Sequence, residues 1–216
     1  MFTGIISALG TITEAQSLGI SVGSDDAASQ HGKRLLIVTP PGYLDDVQLG
    51  DSIALNGACM TVTSLDLAAA RFTIDISVES LNKTAGLTRP GPVNLEKAMR
   101  ANDRLGGHMV SGHVDGIGRV THFAPVGEST ELRVLTSPEL ARFVAYKGSI
   151  TVNGVSLTVN RALDLPGGCE LSINLIPHTL ENTTLGGLVP DQTVNLEIDL
   201  IARYVERMLT APKFPT

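Results

Sequence analysis

The sequence predicts an all-β protein of two homologous small β-barrels in tandem, followed by a C-terminal α-helix. Three observations predict this class: an internal repeat at a constant offset, short alternating apolar runs between turn residues, and one terminal segment with helical periodicity. The predicted domains are residues 1–97, residues 98–197, and a helical tail over residues 198–216.

The repeat is clearest around two Asn-Gly pairs. Residues 51–62 align with residues 148–159 at an offset of 97, and six of the twelve pairs are identical. The tetrapeptide Val-Asn-Leu-Glu recurs at 93–96 and 194–197. A repeat of this length is far longer than a solenoid unit, so each copy is predicted to be a domain.

Strand signals fill both copies. Alternation of apolar and polar residues predicts strands at several places, among them 34–38, 71–76 and 170–175. The pairs Asn56-Gly57 and Asn153-Gly154 predict tight hairpins, because a type I′ turn needs positive φ at both central residues. Each copy is therefore expected to close into a small barrel.

Helical signals are few. Segments 40–47 and 137–144 carry an early proline and are expected to form short helices that plug the barrels, whereas 19–32 is expected to be an exposed loop. Near the C-terminus an apolar stripe predicts a helix: Leu200, Ile201, Tyr204, Val205, Met208 and Leu209. This helix has no counterpart after the first copy, so it either packs on its own barrel or pairs with copies of itself.

Composition excludes several classes of function. The net charge of −6 comes without a basic stripe, and no long apolar run is present, so neither nucleic-acid binding nor a membrane span is expected. The two cysteines and the uncharged N-terminal segment favour a cytoplasmic protein over a secreted one. Scattered histidines and cysteines, with no matching glycine-rich loop, predict neither a metal site nor a nucleotide cofactor.

The differences between the two copies mark candidate functional residues. Cys59 aligns with Ser156, and Ile5 aligns with His113, within the unusual glycine- and histidine-rich run 105–116. Alone, Cys59 fits a buried core thiol as well as a nucleophile, and the histidines of the run fit a structural turn as well as a catalytic one. A small polar group at the same place in both copies favours the functional interpretation.

Four segments, 1–5, 56–63, 106–114 and 153–159, resemble in order the riboflavin synthase family, and the resemblance extends from residue 1 to about residue 205. It implies two six-stranded Greek-key barrels, each binding one 6,7-dimethyl-8-ribityllumazine, and a homotrimer with active sites between neighbouring subunits. The implied reaction transfers a four-carbon unit between two lumazines without a cofactor. An association with lumazine synthase is also implied.

The resemblance implies three catalytic residues: His113 as a general base for a substrate methyl group, Cys59 as a nucleophile or positioning group, and Ser52 nearby. It assigns to the N-terminal pocket Phe2, Gly4, Ile5, Ile6, Cys59, Met60, Thr61, Asp75, Ile76, Ser77, Val78, Glu79 and Ser80. It assigns to the C-terminal pocket Gly112, His113, Val114, Lys147, Ser156, Leu157, Thr158, Asn174, Leu175, Ile176, Pro177, His178 and Thr179.

Two positions depart from the family pattern. Ala58 precedes Cys59 where some members carry a second cysteine, and His178 stands where a glutamate is expected. The rival interpretations are a non-catalytic lumazine or flavin carrier, as in fluorescent antenna proteins, and a purely structural duplicated barrel. A carrier needs only one good pocket, whereas both copies keep polar residues at the strand ends, which favours the enzyme.

Overall fold

The computed structural model describes residues 1–19 and 31–212, so most of the loop predicted at 19–32 lies outside the described residues. The first module has six strands: β1 (Ala8–Ser17), β2 (Lys33–Val38), β3 (Ser52–Leu55), β4 (Ala58–Asp66), β5 (Arg71–Ile76) and β6 (Gly91–Lys97). They form a closed barrel in the order β1-β2-β5-β4-β3-β6. The pairing of β2 with β5 and of β3 with β6 makes the connections those of a Greek key.

The second module has seven strands: β7 (Gly116–Val126), β8 (Ser129–Thr136), β9 (Ser149–Val152), β10 (Val155–Thr158), β11 (Arg161–Leu165), β12 (Gly168–Leu175) and β13 (Thr193–Ile198). Their order is β10-β9-β13-β7-β8-β12-β11, which repeats the first module with one strand split in two. The split at 159–160 aligns with a bulge in β4 between Val62 and Ser64. The all-β class with two barrel-like sheets is confirmed, but the second sheet is not the closed six-stranded barrel that was expected.

The helices are short except for the last: α1 (Val78–Lys83), α2 (Pro138–Ala141), α3 (Pro177–Asn182) and α4 (Leu200–Thr210). The prediction of a helix at 40–47 is wrong. This segment is a series of turns, with Gly42 at φ +81°, in which Tyr43 and Leu44 still fill the end of the first core. In the second copy α2 does form, and its Leu140 packs into the second core.

Both Asn-Gly hairpins form as predicted, and they meet back to back between the modules. The φ angles are 45° and 86° at Asn56 and Gly57, and 48° and 79° at Asn153 and Gly154. A Cβ atom on Gly57 would lie 2.8 Å from the backbone nitrogen of Gly154. Glycine is therefore required at Gly57 both for its left-handed backbone and for the close approach.

Two buried asparagines join the modules reciprocally. The Asn94 side-chain amide donates to the Asn153 carbonyl at 2.9 Å, and the Asn195 amide donates to the Asn56 carbonyl at 2.9 Å. Both asparagines are almost completely buried, so these bonds are shielded from competing water. The matching bonds relate the two modules by a local twofold axis.

Helix α4 turns its polar side toward its own module. Arg203 pairs with Asp115 at 2.6 Å, and Glu206 pairs with Arg142 at 2.9 Å. The apolar stripe faces solvent instead, at Ile201, Tyr204, Val205, Met208 and Leu209. The helix forms where the sequence predicts it, but its apolar side does not pack on its own barrel. Within the described residues, no helix is long and apolar enough to cross a bilayer.

Candidate functional site

The leading segment of each module, residues 2–6 in the first and 110–114 in the second, is held by a buried glutamate. Glu96 accepts hydrogen bonds from the Thr3 amide and hydroxyl, both at 2.7 Å, and from the Gly4 amide at 3.0 Å. Glu197 does the same for Ser111, at 2.6 and 2.7 Å, and for Gly112, at 3.0 Å. The two leading segments are thus fixed by equivalent contacts.

Burial raises the pKa of both Glu96 and Glu197 above the usual carboxyl value, and the hydrogen bonds from the leading segments oppose that shift. Sequence analysis did not assign these residues a role. The signal was present, because both are the last residue of the recurring Val-Asn-Leu-Glu.

The two leading segments cross each other, and each docks on the module that the other one leads into. Phe2 and Val110 pair in an antiparallel bridge, with amide-to-carbonyl distances of 2.8 and 3.1 Å. Beyond the bridge, the Gly4 carbonyl accepts a bond from the Ser156 amide at 2.7 Å, and the Gly112 carbonyl accepts one from the Cys59 amide at 2.8 Å.

The apolar contacts follow the same exchange: Ile6 packs against the second core, and Val114 packs against the first. The two pockets expected from sequence were therefore grouped wrongly. Gly4, Ile5 and Ile6 lie with Ser156, whereas Gly112, His113 and Val114 lie with Cys59.

The glycines allow this docking for two reasons. Gly4 and Gly112 have φ angles of +75° and +81°, in the left-handed region. A Cβ atom on Gly4 would lie 2.6 Å from the Ser156 Cβ, and one on Gly112 would lie 2.7 Å from the Cys59 Cβ. Any larger residue would push the leading segment away from the strand face.

Each docked segment lies beside a strand pair that presents hydroxyl or thiol groups on its outer face. In the first module Cys59 and Thr61 alternate with the core residues of β4, and Ser52 on β3 is the direct partner of Thr61. In the second module Ser156 and Thr158 occupy the equivalent places on β10, and Thr158 is partnered by Ser149. The three proposed catalytic residues, Cys59, His113 and Ser52, thus belong to the same module face.

Some predicted contact residues are buried in a core. Met60, Ile76 and Leu175 point into the barrels and present no side chain to a ligand. Phe2 is fully buried in a cluster with Ala54 and Val110, against which Cys59 packs, so its ring supports the site from behind instead of stacking on a ligand. Alternation along a strand decides this, because residues on either side of Cys59 must point inward.

The segments after β5 and β12 are helical turns and not strand ends. Val78, Glu79 and Ser80 lie in α1, where Ser77 caps the helix by accepting from the Ser80 amide at 3.1 Å. Pro177, His178 and Thr179 lie in α3. The exposed residues next to them include Asn174 and Ile176.

Three of the predicted polar contact residues have partners within the chain. Asp75 makes a two-pronged pair with Arg34, with both N–O distances at 2.7 Å, which lowers the pKa of Asp75. Lys147 reaches the Asn160 side chain at 3.1 Å. The exposed His178 has its carbonyl 2.8 Å and its ring Nδ1 atom 3.3 Å from the side-chain amide nitrogen of Asn182. A ligand would have to compete for Asp75 and Lys147.

A histidine outside the predicted set also reaches the second face. The His108 Nδ1 atom lies 2.8 Å from the Ser156 Oγ atom, and the His108 amide donates to the Thr3 carbonyl at 3.2 Å. Burial lowers the pKa of His108, and the nearby charge of Asp199 opposes this shift. The sequence signal was the run 105–116, whose first histidine received no role.

A cleft of about 740 Å³ lies beside β3 and β6. Its lining includes two predicted residues, Ser52 and Ile5, together with Glu96 and Arg104. At Ser52 the cleft therefore borders the face of the first module that carries the three proposed catalytic residues. Among the described residues, no group of three or more histidine, cysteine or carboxylate side chains is placed to hold a metal ion.

Comparison with known proteins identifies the family. The lumazine binding domain model matches residues 3–98 and 111–199. Riboflavin synthase of Actinobacillus pleuropneumoniae is 41% identical over 211 residues, which cover 97% of this chain and 90% of that protein. Riboflavin synthase of Bacillus subtilis is 40% identical with the same coverage.

The solved structures of LumP agree in fold. LumP complexed with 6,7-dimethyl-8-(1'-D-ribityl) lumazine superposes with a TM-score of 0.74 at 24% identity, over 91% of this chain and 98% of LumP. LumP complexed with riboflavin gives a TM-score of 0.74 at 25% identity, over 92% of this chain and 99% of LumP. From the domain matches and the nearly full-length relatives, this chain belongs to the riboflavin synthase family and is built from two lumazine-binding domains.

Proposed function

We propose that this protein converts two molecules of 6,7-dimethyl-8-ribityllumazine into riboflavin and 5-amino-6-(D-ribitylamino)uracil. One observation carries the proposal: two module faces share one architecture but differ in the groups they present. One carries Cys59 with His113 beside it, and the other carries Ser156 with Ile5 beside it. A reaction between two identical molecules in different roles requires two similar sites of unequal chemistry.

The first step is proton removal from the ring methyl group of one lumazine, and we assign it to His113. Its side chain is exposed, as a base that meets a substrate must be, while its amide is held by the Ser111 hydroxyl at 3.2 Å. Ser111 is in turn fixed by Glu197. The imidazole is thus carried on a segment with a defined backbone.

The second step is addition of a nucleophile to the ring of the other lumazine. Cys59 is partly exposed on β4, and Ser52 is on the neighbouring strand of the same face. These are the groups that we propose to attack the ring or to position a water molecule for attack. The four-carbon unit then passes from this lumazine to the deprotonated one. The bond to the added nucleophile breaks again and the proton taken by His113 is returned, so the two products together contain all atoms of the two substrates and no external oxidant is consumed.

Riboflavin formation also requires two substrates to be held face to face. We propose that copies of the chain supply this arrangement by association through the apolar stripe of α4 into a trimer, so that a first-module face meets the second-module face of a neighbour. The exposure of Tyr204, Met208 and Leu209, with the polar side of α4 occupied by its own module, supports this proposal. Association with lumazine synthase and a cytoplasmic location, in keeping with two free cysteines, are further proposals.

A carrier function is the second candidate, because LumP has the same fold and is solved with bound lumazine and with riboflavin. The test is to mix the purified protein with 6,7-dimethyl-8-ribityllumazine and follow riboflavin by absorbance and chromatography. One riboflavin per two lumazines consumed is the expected result. Tight binding without turnover would instead favour the carrier function. If the protein neither bound nor converted the lumazine, both candidate functions would be refuted.

A further inference from the structure

The pair of His108 and Ser156 distinguishes the two module faces. His108 is 9% exposed, and its Nδ1 atom lies 2.8 Å from the Ser156 hydroxyl oxygen. On the other face, no imidazole is hydrogen-bonded to the Cys59 thiol within the part of the chain that the structure describes. Two aligned polar groups therefore have different surroundings.

The His108 ring has a second, unusual property. Its Nε2 atom is buried and has no hydrogen-bond partner among residues 1–19 and 31–212. If the proton were on Nε2, a buried N–H donor would lack an acceptor, which is rarer in proteins than an acceptor without a donor. Buried and with a lowered pKa, the ring is neutral, so the favoured tautomer carries its single proton on Nδ1.

This tautomer decides what Ser156 can do. When Nδ1–H donates to the Ser156 oxygen, the serine hydroxyl hydrogen is free to turn toward the outer face of β10. Ser156 then acts as a hydrogen-bond donor to whatever lies on that face. In the opposite tautomer its hydrogen would be used by Nδ1, and Ser156 would offer the ligand only an acceptor.

We propose that His108 is a positioning residue that presents Ser156 as a donor to a carbonyl oxygen or ring nitrogen of the ligand on the second module. This inference rests on the proposed function, and it deepens it by stating how the two sites differ. The thiol of Cys59 is a weak donor, so only the second site makes a strong, directed bond at this position. The acceptor edge of a pyrimidinedione ring has the chemistry that such a donor selects.

The test uses riboflavin as a binding probe that does not turn over by itself, titrated by quenching of its fluorescence. His108→Leu removes the bond to Ser156 and is expected to weaken one class of site about tenfold while the other class is unchanged. Ser156→Ala should give the same loss, and the double variant no more than either. His108→Asn, whose amide nitrogen replaces Nδ1 as a donor, should restore binding.

The refuting outcomes are distinct. Equal weakening of both classes of site by His108→Leu would show a merely structural role, and a loss with Ser156→Ala but none with His108→Leu would refute the positioning role. If His108→Leu does not fold, ¹⁵N chemical shifts of labelled wild-type histidine decide: protonated Nδ1 supports the proposal and protonated Nε2 overturns it. Failure of the wild-type protein to bind riboflavin or lumazine would count against the proposed function instead.

Discussion

Replacement of Glu197 by glutamine tests whether the leading segment of the second module positions the residues of the proposed active site. The Oε1 atom of Glu197 accepts hydrogen bonds from the amide and the hydroxyl of Ser111, and its Oε2 atom accepts one from the Gly112 amide. Glutamine keeps the size of the side chain but places an NH₂ group where Oε2 was. The Gly112 amide then faces another donor and loses its partner.

The magnitude follows from that one lost acceptor. Leaving a buried backbone N–H unpaired costs about 1–3 kcal/mol, so Glu197→Gln should lower the free energy of unfolding in urea by about that amount. Because Gly112 also holds the Cys59 amide and precedes His113, its displacement should reduce kcat/KM for riboflavin formation by on the order of 10²-fold.

The local twofold symmetry supplies a matched control. Glu96→Gln breaks the equivalent bond to Gly4 and should cost a similar free energy of unfolding, but the residue that follows is Ile5 instead of His113. Its loss of kcat/KM should be at least tenfold smaller. Equal losses of activity in the two variants, or wild-type activity in Glu197→Gln, would refute the positioning argument.

Glu96 and Glu197 together predict that the free energy of unfolding depends on pH. The pKa values of Glu96 and Glu197 are raised in the folded protein, so the folded state binds these protons more tightly than the unfolded chain does. Their contribution to stability is therefore greatest below the ordinary carboxyl pKa and is lost as the pH rises through the raised values. Urea unfolding of the double glutamine variant should lack this decline, and an unchanged decline would contradict it.

Three further predictions use single residues. His113→Gln, at an exposed position, should reduce turnover at least about 10²-fold with a change in unfolding free energy within about 0.5 kcal/mol, and unchanged turnover would exclude the base role. Gly57→Ala, which brings a Cβ to 2.8 Å from Gly154, should lower the free energy of unfolding by about 2 kcal/mol, whereas Gly127→Ala, in open space at φ +57°, should cost about 1 kcal/mol. Met208→Glu should shift the protein from the proposed trimer to the monomer in sedimentation, and a trimer that persists in this variant would show that α4 is not the contact.

Local signals were sufficient where local chemistry decides the structure. The Asn-Gly hairpins followed from the backbone angles that their turns require, and α4 followed from the spacing of its apolar residues. At 40–47 the local signal failed, because burial of Tyr43 and Leu44 is satisfied by turns and Gly42 takes a left-handed angle that ends a helix. The break in the strand after β10 was not predicted, because neither it nor the matching bulge in β4 has a distinct sequence pattern.

The features of the candidate site also fall into those that the sequence predicts and those that depend on the tertiary structure. From sequence alone came the duplication, the alignment of Cys59 with Ser156, and the expectation of two related sites. Only the tertiary structure decided which leading segment docks on which module, because both strand faces offer the same backbone amide and both segments offer the same glycine carbonyl. Local chemistry is equal for the two pairings, so the choice is made by contacts about a hundred residues apart in the chain: the glutamates, the crossed bridge of Phe2 with Val110, and the packing of Ile6 and Val114.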